Sequence, residues 1–456
     1  MRARAGAAIL PDDAFLALHE RFANRYPVLL ESLGGGSPLG RYDVLLARPG
    51  ERLTRLPDGR LSGPGVQDTS ARFLDALDAW WRAEGGAAVA DRCGAPFTGG
   101  WFLYLGYELA DEIEPALRLR PPQRPRAVAW RMHGAVVRDR DTGEVSFHAD
   151  DGSTATLRRQ VMDDLGRLPA ASEPVAPPSA MRVEEEPAEI FLGGVEAALD
   201  AIRRGDVYQI NLSRAWRAEL PSGVRAAGLY RRLREANPAP FAGIAQLPGL
   251  AVLSSSPERL LRIEDGVAST RPIAGTRPRG ATTAADASLR DELRLNEKER
   301  AEHVMLVDLE RNDLGRICKG GSVRVDEFMT IESYATVHHI VSNVRGDLRP
   351  DVTPGQAIAA VFPGGTITGC PKVRCMQLLA EFEARPREAY TGSMGYLGLD
   401  GSLDLNILIR TLTVADGRVE FRTGAGIVAD SQPVAELAET RAKARGLLRA
   451  LGVHSC

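Results

Sequence analysis

The chain has 456 residues, of which 44% are hydrophobic and 26% charged, and its formal net charge at pH 7 is −3. This balance excludes a strongly basic nucleic-acid or membrane-surface footprint, and no apolar stretch is long enough to span a bilayer. The five cysteines show no CxxC pairing, which favours free thiols in a reducing compartment, so we expect a cytoplasmic protein.

The first part of the chain, residues 1–167, is predicted to be rich in strands. Three of its segments are apolar runs between Gly- or Pro-containing turns, as strands are: 99–109, 127–139 and 143–149. Segment 168–188 is rich in Pro, Ala and acidic residues and has no apolar period, so we interpret it as an exposed connector.

The remaining part, residues 189–456, alternates helix-like and strand-like segments. A helical pattern over 189–206 leads into the strand-like run YQINLSRAW, and no GxGxxG or GxxxxGK[ST] phosphate loop is present. The sequence therefore predicts an α+β fold with antiparallel sheets and outer helices, built from one large or two closely joined domains.

Paired carboxylates occur on two predicted helices. A helix over 298–315 places Glu299, Glu302 and His303 along one face, and a helix over 434–448 carries Glu436 and Glu439 three residues apart. Two such pairs have the hard oxygen ligands that Mg²⁺ prefers. The alternative is two solvated helix faces neutralised by neighbouring Lys and Arg, and spacing alone favours that alternative.

Two Gly-rich segments change this balance. FPGGTITGCPK (362–372) and RTGAGIV (422–428) bring backbone N–H groups close to something bulky or anionic. Arg410 adds a fork suited to a carboxylate. Together these features indicate a pocket for a small molecule with two carboxylates, one bound to metal and one bound to arginine and backbone amides.

The order of motifs carries a family resemblance. The sequence contains, in order, SSSPERL, RPIAGTRPRG, ERAEHVMLVDLERNDLG, HHIVSNVRG, FPGGTITGCPKVR, YTGSMGYLGLDG, LNILIRTL, TGAGIVADS and ELAETRAKA. This set resembles the chorismate-utilising enzymes, which include anthranilate synthase component I, aminodeoxychorismate synthase component I, and the isochorismate and salicylate synthases. The resemblance implies an anthranilate synthase component I-like α+β fold, with antiparallel sheets in a sandwich-like core and helices packed outside.

The resemblance also implies roles for individual residues. Glu302 and Glu439 match direct Mg²⁺ ligands, supported by Glu299 and Glu436. The matching substrate-binding positions are Gln209, Thr276, Gly365, Thr366, Tyr396, Arg410, Gly424, Ala425, Gly426 and Lys443.

Two further residues match positions near the reacting ring. Glu258 matches the general acid that protonates the departing C4 hydroxyl, so we expect desolvation to raise its pKa. His339 matches a histidine beside the ring, whereas we expect packing roles for His338 and His303.

The product depends on the nucleophile. Water-using members resemble one another in a lysine where this chain has Gln209, and a neutral amide cannot deprotonate water, so ammonia is expected. Most motifs resemble the aminodeoxychorismate branch, which leads to 4-aminobenzoate and folate. Ala274 departs from that branch, because it stands where many of those enzymes carry a lysine and where anthranilate synthases have alanine. We favour 4-amino-4-deoxychorismate as product, with anthranilate as the alternative.

The resemblance extends to a regulator and a partner. Leu30, Glu31 and Ser32, in VLLES, resemble the family's tryptophan pocket, although an ordinary core strand is an equal alternative. No glutaminase-like GxCxG elbow is found in the sequence, so we expect ammonia from a separate glutaminase (amidotransferase) subunit. A rival hypothesis is a non-catalytic module that binds chorismate or tryptophan, which the intact Glu258, Glu302 and Glu439 argue against.

Overall fold

A computed structural model describes residues 10–33, 40–86, 94–169, 181–334 and 337–453. The α-helices in these ranges are α1 (Ala14–Arg21), α2 (Phe73–Ala83), α3 (Ala110–Ile113), α4 (Thr154–Gly166), α5 (Ala188–Arg203), α6 (Ala226–Ala236), α7 (Thr283–Leu295), α8 (Glu297–Gly315), α9 (Pro354–Val361), α10 (Lys372–Phe382) and α11 (Pro433–Ala450).

The strands of the same ranges are β1 (Val28–Glu31), β2 (Tyr42–Arg55), β3 (Leu61–Ser62), β4 (Gly100–Leu105), β5 (Ala127–Asp139), β6 (Val145–Ala149), β7 (Val183–Glu185), β8 (Gln209–Glu219), β9 (Phe241–Leu247), β10 (Leu250–Ser256), β11 (Arg259–Glu264), β12 (Val267–Arg271), β13 (Ile273–Pro278), β14 (Arg324–Ser333), β15 (Val337–Asp347), β16 (Gly369–Cys370), β17 (Ser393–Gly398), β18 (Leu403–Asn406), β19 (Thr411–Ala415) and β20 (Arg418–Ile427).

The pairings between these strands are antiparallel and join them into one long ladder. Its order is β8–β20–β19–β10–β9–β1–β2–β5–β4–β17–β18–β11–β12–β15. The short strands β7 and β16 add to β8, and β13 and β14 add to β15.

The ladder folds over so that two of its layers enclose a hydrophobic core. Side chains of β1, β2, β9 and β10 meet those of β4, β5 and β17 in one cluster, for example Val28 and Val252 against Phe102, Met132 and Met394. Alternate residues of each strand point into this core, as in a β-sandwich. Helices such as α6 and α11 pack on the outer faces. The expected α+β fold with a sandwich-like core is confirmed.

Strands from both sides of the expected connector pair directly. β1 lies against β9, and β4 lies against β17, so residues 1–167 and 189–456 contribute to the same ladder. Within the connector, 170–180 lie outside the described residues. Residues Val183–Glu185 of the connector form β7, a short strand that pairs with β8. Glu185 also forms an ion pair with the buried Arg214 of β8. This part of the connector is therefore attached to the sheet.

Other expectations for the chain are met or corrected locally. Residues 127–139 form one strand as predicted, but segment 99–109 leaves the strand at Leu105 and enters a 3₁₀ turn, Tyr107–Leu109. Cys318, Cys370 and Cys375 are free thiols, and Cys93 and Cys456 lie outside the described residues. Among the helices in the described ranges, none combines the length and apolar character needed to cross a membrane.

Trp101 provides a test of a second hydrophobic cluster, which contains Trp80, Trp81 and Leu103 and does not include Phe102. It is fully buried (0% exposed) on β4, packs edge-on against Trp80 at 5.4 Å between ring centroids, and lies under the Arg131 guanidinium. Trp101→Ala should lower the free energy of unfolding by about 3–5 kcal/mol, measured by urea titration, because a large cavity remains. Met162→Ala, at a side chain that is 44% exposed, should change it by less than about 0.5 kcal/mol. Equal losses at both positions would contradict the proposed packing.

Candidate active site

Glu258 is a buried carboxyl at the start of the turn after β10. The Ser256 hydroxyl fixes this turn by donating to the Ile407 carbonyl at 2.5 Å and accepting from the Glu258 N–H at 3.2 Å. Glu258 is only 5% exposed, and its Oε1 accepts a hydrogen bond from the Thr366 hydroxyl at 2.7 Å. Burial raises the pKa of Glu258 to about 7, although Thr366, Arg410 and Lys443 act in the opposite direction. This carboxyl can therefore carry a proton near neutral pH, as the sequence predicted.

Arg410 brings a cation to the same place. It sits between β18 and β19 with φ of 51°, a backbone conformation uncommon for a side-chain-bearing residue. Its charge faces Glu258 and His339, and burial lowers its pKa. A guanidinium in this position is suited to hold a substrate carboxylate beside the acid.

His339 lies on β15 opposite Thr276 of β13. Its Nδ1 is 2.9 Å from the Thr276 hydroxyl, while its Nε2 is buried and has no hydrogen-bond partner. Burial, and then the Arg410 charge, lowers the pKa of His339 to about 3, so the ring is neutral at physiological pH. Ala274, two residues before Thr276, is buried and presents only a methyl group.

The neighbouring histidines have different environments. Both nitrogens of the His338 ring form hydrogen bonds: Nε2 lies 2.9 Å from the Asp286 carboxylate, and Nδ1 lies 2.7 Å from the Ser333 hydroxyl. His303 is fully buried and contacts the Ser342 hydroxyl at 2.6 Å. Both contacts fit the packing roles expected for these two residues.

The Gly-rich end of β20 forms a wall without side chains. A Cβ on Gly424 would lie 2.6 Å from the Leu212 carbonyl oxygen and 2.7 Å from the Tyr390 hydroxyl, and a Cβ on Gly426 would lie 2.6 Å from Gln209 Nε2. The side chain of Ala425 packs into the core on the other face, so only its backbone is available to a ligand. These close approaches explain why glycine is needed at both positions, since any side chain would collide with the neighbouring atoms.

The segment between α9 and α10 covers the acid from another side. Gly365 and Thr366 lie in a 3₁₀ turn, Gly365–Ile367, and the Asn211 side chain donates to the Thr366 carbonyl at 3.0 Å. The structure thus brings Thr366 and Arg410 to Glu258, and Gly365 lies beside Thr366 in the same turn.

Two helices present the four glutamates. The Asn296 side chain caps α8 by accepting from the Glu299 N–H at 3.0 Å, which sets Glu299 and Glu302 on its first turns. Pro433 begins α11, which carries Glu436 and Glu439. Burial raises the pKa of Glu302, and the charges of Glu299 and Glu439 raise it further.

Cations and one amide already contact these acids. Gln209 Nε2 donates to Glu302 Oε1 at 3.0 Å, Arg277 pairs with Glu299 at 3.2 Å, and Lys443 pairs with Glu439 at 2.7 Å. Lys443 also donates to the Gly424 carbonyl at 3.0 Å. The donor set consists of carboxylate oxygens, with the unpartnered buried Gln209 Oε1 beside them, and this chemistry fits Mg²⁺. In the described part of the chain, however, no three acidic, His or Cys side chains form a ready chelate.

Tyr396 corrects one sequence-based assignment. It lines a separate cavity of about 1340 Å³ between the sheet layers, where its ring lies 5.5 Å from that of Phe97. The residue beside the glycine wall is Tyr390, six positions earlier in YTGSMGY, because β17 begins only at Ser393 and turns its alternate side chains to the sandwich interior. Sequence reasoning chose the second tyrosine of this motif and missed the first, as it missed Asn211.

Leu30, Glu31 and Ser32 line the same cavity as Tyr396. Glu31 is buried and accepts hydrogen bonds from Tyr230 at 2.6 Å and Arg234 at 3.0 Å, and the Ser32 N–H donates to Asp43 at 3.1 Å. This cavity is distinct from the site around Glu258. We place the candidate active site at Glu258 because Arg410 faces this buried acid, and because Lys443, which also faces it, connects it to the glycine wall and to Glu439.

The chain is similar to known proteins along most of its length. The family model described as chorismate binding enzyme matches residues 55–449. The chain is 37% identical over 456 residues to aminodeoxychorismate synthase component 1 of Bacillus subtilis, covering 96% of this chain and 95% of that protein. It is 43% identical over 358 residues to an anthranilate synthase component I-like protein of Synechocystis, covering 78% and 73%. The crystal structure of anthranilate synthase component I from Streptococcus pneumoniae superposes with a TM-score of 0.79 at 30% identity, covering 98% and 99%.

The raised pKa of Glu258 predicts a pH-dependent stability. The folded chain holds this proton up to about pH 7, whereas an unfolded carboxyl releases it near 4.5, so the stabilisation is complete below about 4.5 and is lost as the pH rises through 7. Glu258→Gln cannot ionise, so between pH 4.5 and 7.5 it should gain about 3 kcal/mol of unfolding free energy relative to wild type, measured by urea titration. The same change at exposed Glu219 controls for loss of a charge. A constant difference across this range would contradict a proton on buried Glu258.

Proposed function

The chain belongs to the chorismate-binding enzyme family, and on that premise we propose that it aminates chorismate with ammonia at C4, giving 4-amino-4-deoxychorismate and water. It would thus act as an aminodeoxychorismate synthase component I. The observation that carries this proposal is the buried Glu258, protonated near neutral pH and faced by Arg410. A hydroxyl is a poor leaving group unless an acid supplies a proton, and this carboxyl is suited to supply one.

Residues around Glu258 provide the substrate contacts in this proposal. Arg410 and the backbone of Gly424 and Gly426 bind carboxylate and ring, and the turn that carries Thr366 covers them and excludes water. Since Oε1 of Glu258 accepts from Thr366, the acid proton resides on Oε2 and passes to the departing C4 oxygen, which leaves as water. Ammonia forms the new carbon–nitrogen bond and loses one proton, which returns to Glu258 and restores the acid, so the reaction balances.

Glu302 and Glu439 would hold Mg²⁺, with Glu299 and Glu436 in support. Two features support this assignment: the four carboxylates lie in the first two turns of α8 and α11, and the charges of Glu299 and Glu439 both raise the pKa of Glu302. Bound Mg²⁺ would supply Lewis-acid stabilisation of charge on the ring carboxylate. Lys443 forms an ion pair with Glu439 and donates a hydrogen bond to the Gly424 carbonyl, and its charge lowers the pKa of Glu258. It therefore links the acidic residues to the rest of the pocket.

The choice of nucleophile rests on Gln209. Its amide donates to Glu302 and cannot act as a base, which favours ammonia over water. We propose that a separate glutaminase (amidotransferase) subunit supplies this ammonia. Relatives named aminodeoxychorismate synthase and anthranilate synthase are about equally similar to the chain, so the C4 product is supported by the separate motifs of the sequence. Ala274 specifically favours anthranilate as a second candidate product, because no amine is present there to form a bond to substrate.

The cavity lined by Leu30, Ser32 and Tyr396 supports a second, smaller proposal, that this cavity binds tryptophan. Its aromatic ring contacts and buried polar groups suit an aromatic amino acid. Because Glu31 is engaged by Tyr230 and Arg234, it would act by shaping this cavity.

The product can be assigned with purified chain, chorismate, Mg²⁺ and ammonium, with and without aminodeoxychorismate lyase. We expect 4-aminobenzoate only when the lyase is present, measured by chromatography. Fluorescent anthranilate formed without the lyase would replace the proposed product with the second candidate. No consumption of chorismate by well-folded chain would favour the non-catalytic module.

The metal assignment predicts that Glu302→Ala stops turnover without unfolding the chain. Loss of groups that only support metal ligands costs 10- to 100-fold, so loss of a direct ligand should reduce kcat/KM by at least about 100-fold. The matched control is Glu297→Ala, an exposed glutamate on the same helix, which should keep wild-type activity. Circular dichroism would check the fold of both variants, and an active Glu302→Ala enzyme would refute the assignment.

A further inference from the structure

The loop between α9 and α10 is fastened at its base by one lysine. Lys372, the first residue of α10, places its Nζ 2.5 Å from Asp313 of α8 and 3.2 Å from the carbonyl oxygen of Val361, the last residue of α9. A single ammonium therefore joins both ends of this loop to α8. The side chains of Lys372 and Asp313 are largely buried, so the ion pair is shielded from solvent.

The middle of the same loop lies between two buried carboxyls. On one side, the Thr366 hydroxyl bonds to Glu258. On the other side, Gly365 is so close to α8 that an added Cβ would lie 3.3 Å from the Leu309 Cβ and 3.7 Å from Oε1 of Glu310. A displacement of the two ends of the loop, at Val361 and Lys372, would therefore move the Thr366 hydroxyl that contacts Glu258.

Glu310 faces a small set of groups. It is only 5% exposed, and its neighbours are Asp313, Lys372, the Thr270 hydroxyl and Glu258. Burial and the Asp313 charge raise the pKa of Glu310 to about 8, while Lys372 lowers it.

The remaining groups that face this region are cations and one amide. Asp313 also faces Arg316 and Asn312, and Glu258 also faces Arg410 and Lys443. Near pH 7, the lysine and aspartate neutralise each other and Glu310 carries its proton, so the three together present almost no net charge to Glu258.

We propose that Lys372, Asp313 and Glu310 form a positioning group for Glu258, in which the ion pair holds the Thr366 loop in place and the charge balance of the three sets the electrostatic potential at the acid. The proposal rests on the proposed function, in which Glu258 is the acid of the reaction. None of the three touches substrate; they act through Thr366 and through their charge.

Because of this charge balance, removing the cation and removing the anion of the ion pair should have opposite effects on the pKa of Glu258. Lys372→Met leaves a buried carboxylate without its cation, which should hold the proton on Glu258 more tightly. Asp313→Asn leaves a buried ammonium without its anion, which should release that proton more easily. A nearby negative charge raises the pKa of an acid and a nearby positive charge lowers it, so the two variants should shift the pKa of Glu258 in opposite directions.

The experiment measures kcat against pH for the holoenzyme with Mg²⁺, chorismate and ammonium. Relative to wild type, the alkaline limb should move up by about one pH unit in Lys372→Met and down by about one in Asp313→Asn. It should return close to wild type in the double variant Lys372→Met with Asp313→Leu. Lys372→Arg should keep the alkaline limb at its wild-type position, because arginine keeps the positive charge. Shifts in the same direction, or a lower kcat with an unmoved limb, would overturn the proposal and leave these residues a purely structural role.

Glu310→Gln covers the case in which the single ion-pair variants do not fold, because it copies the protonated side chain. Its limb should stay close to that of wild type, since Glu310 still carries its proton over the pH range in which Glu258 titrates. A limb moved by about one pH unit or more in this variant would also overturn the proposal.

A second measurement separates failure of this proposal from failure of the proposed function. The infrared band of a protonated carboxyl that Glu258→Gln removes reports the protonation of Glu258 without turnover. If wild type does not consume chorismate, the proposed function fails, and the same opposite shifts in this band still test the positioning group. If wild type is active but the band and the limb stay fixed in all variants, the positioning group alone fails.

Discussion

The exclusion of water from the Glu258 carboxyl is the constraint on which the rest of the site depends. Glu258 holds a proton near neutral pH because the fold removes it from water, and every cation nearby works against that effect. Arg410 and Lys443 are needed to bind anions, yet each makes the acid easier to ionise. The site therefore combines strong burial with a limited number of facing cations, and Glu310 adds a second buried acid that does not oppose the first while protonated.

The ladder of antiparallel strands supplies this burial. The turn after β10 brings Glu258 inward, the glycines of β20 leave space without side chains, and β13 and β15 set Thr276 against His339. The helices contribute at their first turns, where α8 and α11 present acids. Strands thus form the dry part of the site, and helix ends form its more exposed, acidic side, where Glu439 is 47% exposed.

Much of this could be predicted from the sequence, because motifs with fixed spacing report local geometry. The α+β class, the helix that carries Glu299 and Glu302, and the meeting of Glu258 with Thr366 and Arg410 follow from such motifs. The assignment of Tyr396 was wrong because YTGSMGY contains two tyrosines, and only the start of β17 decides which one lies beside Gly424. The Lys372–Asp313 pair was missed because its partners are far apart in the chain and neither lies in a pattern that predicts contact.

The position of β1 and β4 within the ladder limits how the molecule can be divided. Both strands lie in its interior, so a fragment starting at residue 189 would leave β9 and β17 with open edges and uncovered apolar faces. Open edges of this kind invite pairing with other chains and aggregation. The Pro- and Ala-rich segment therefore marks a change of composition, but it is no place at which to cut the gene for separate expression of the two parts.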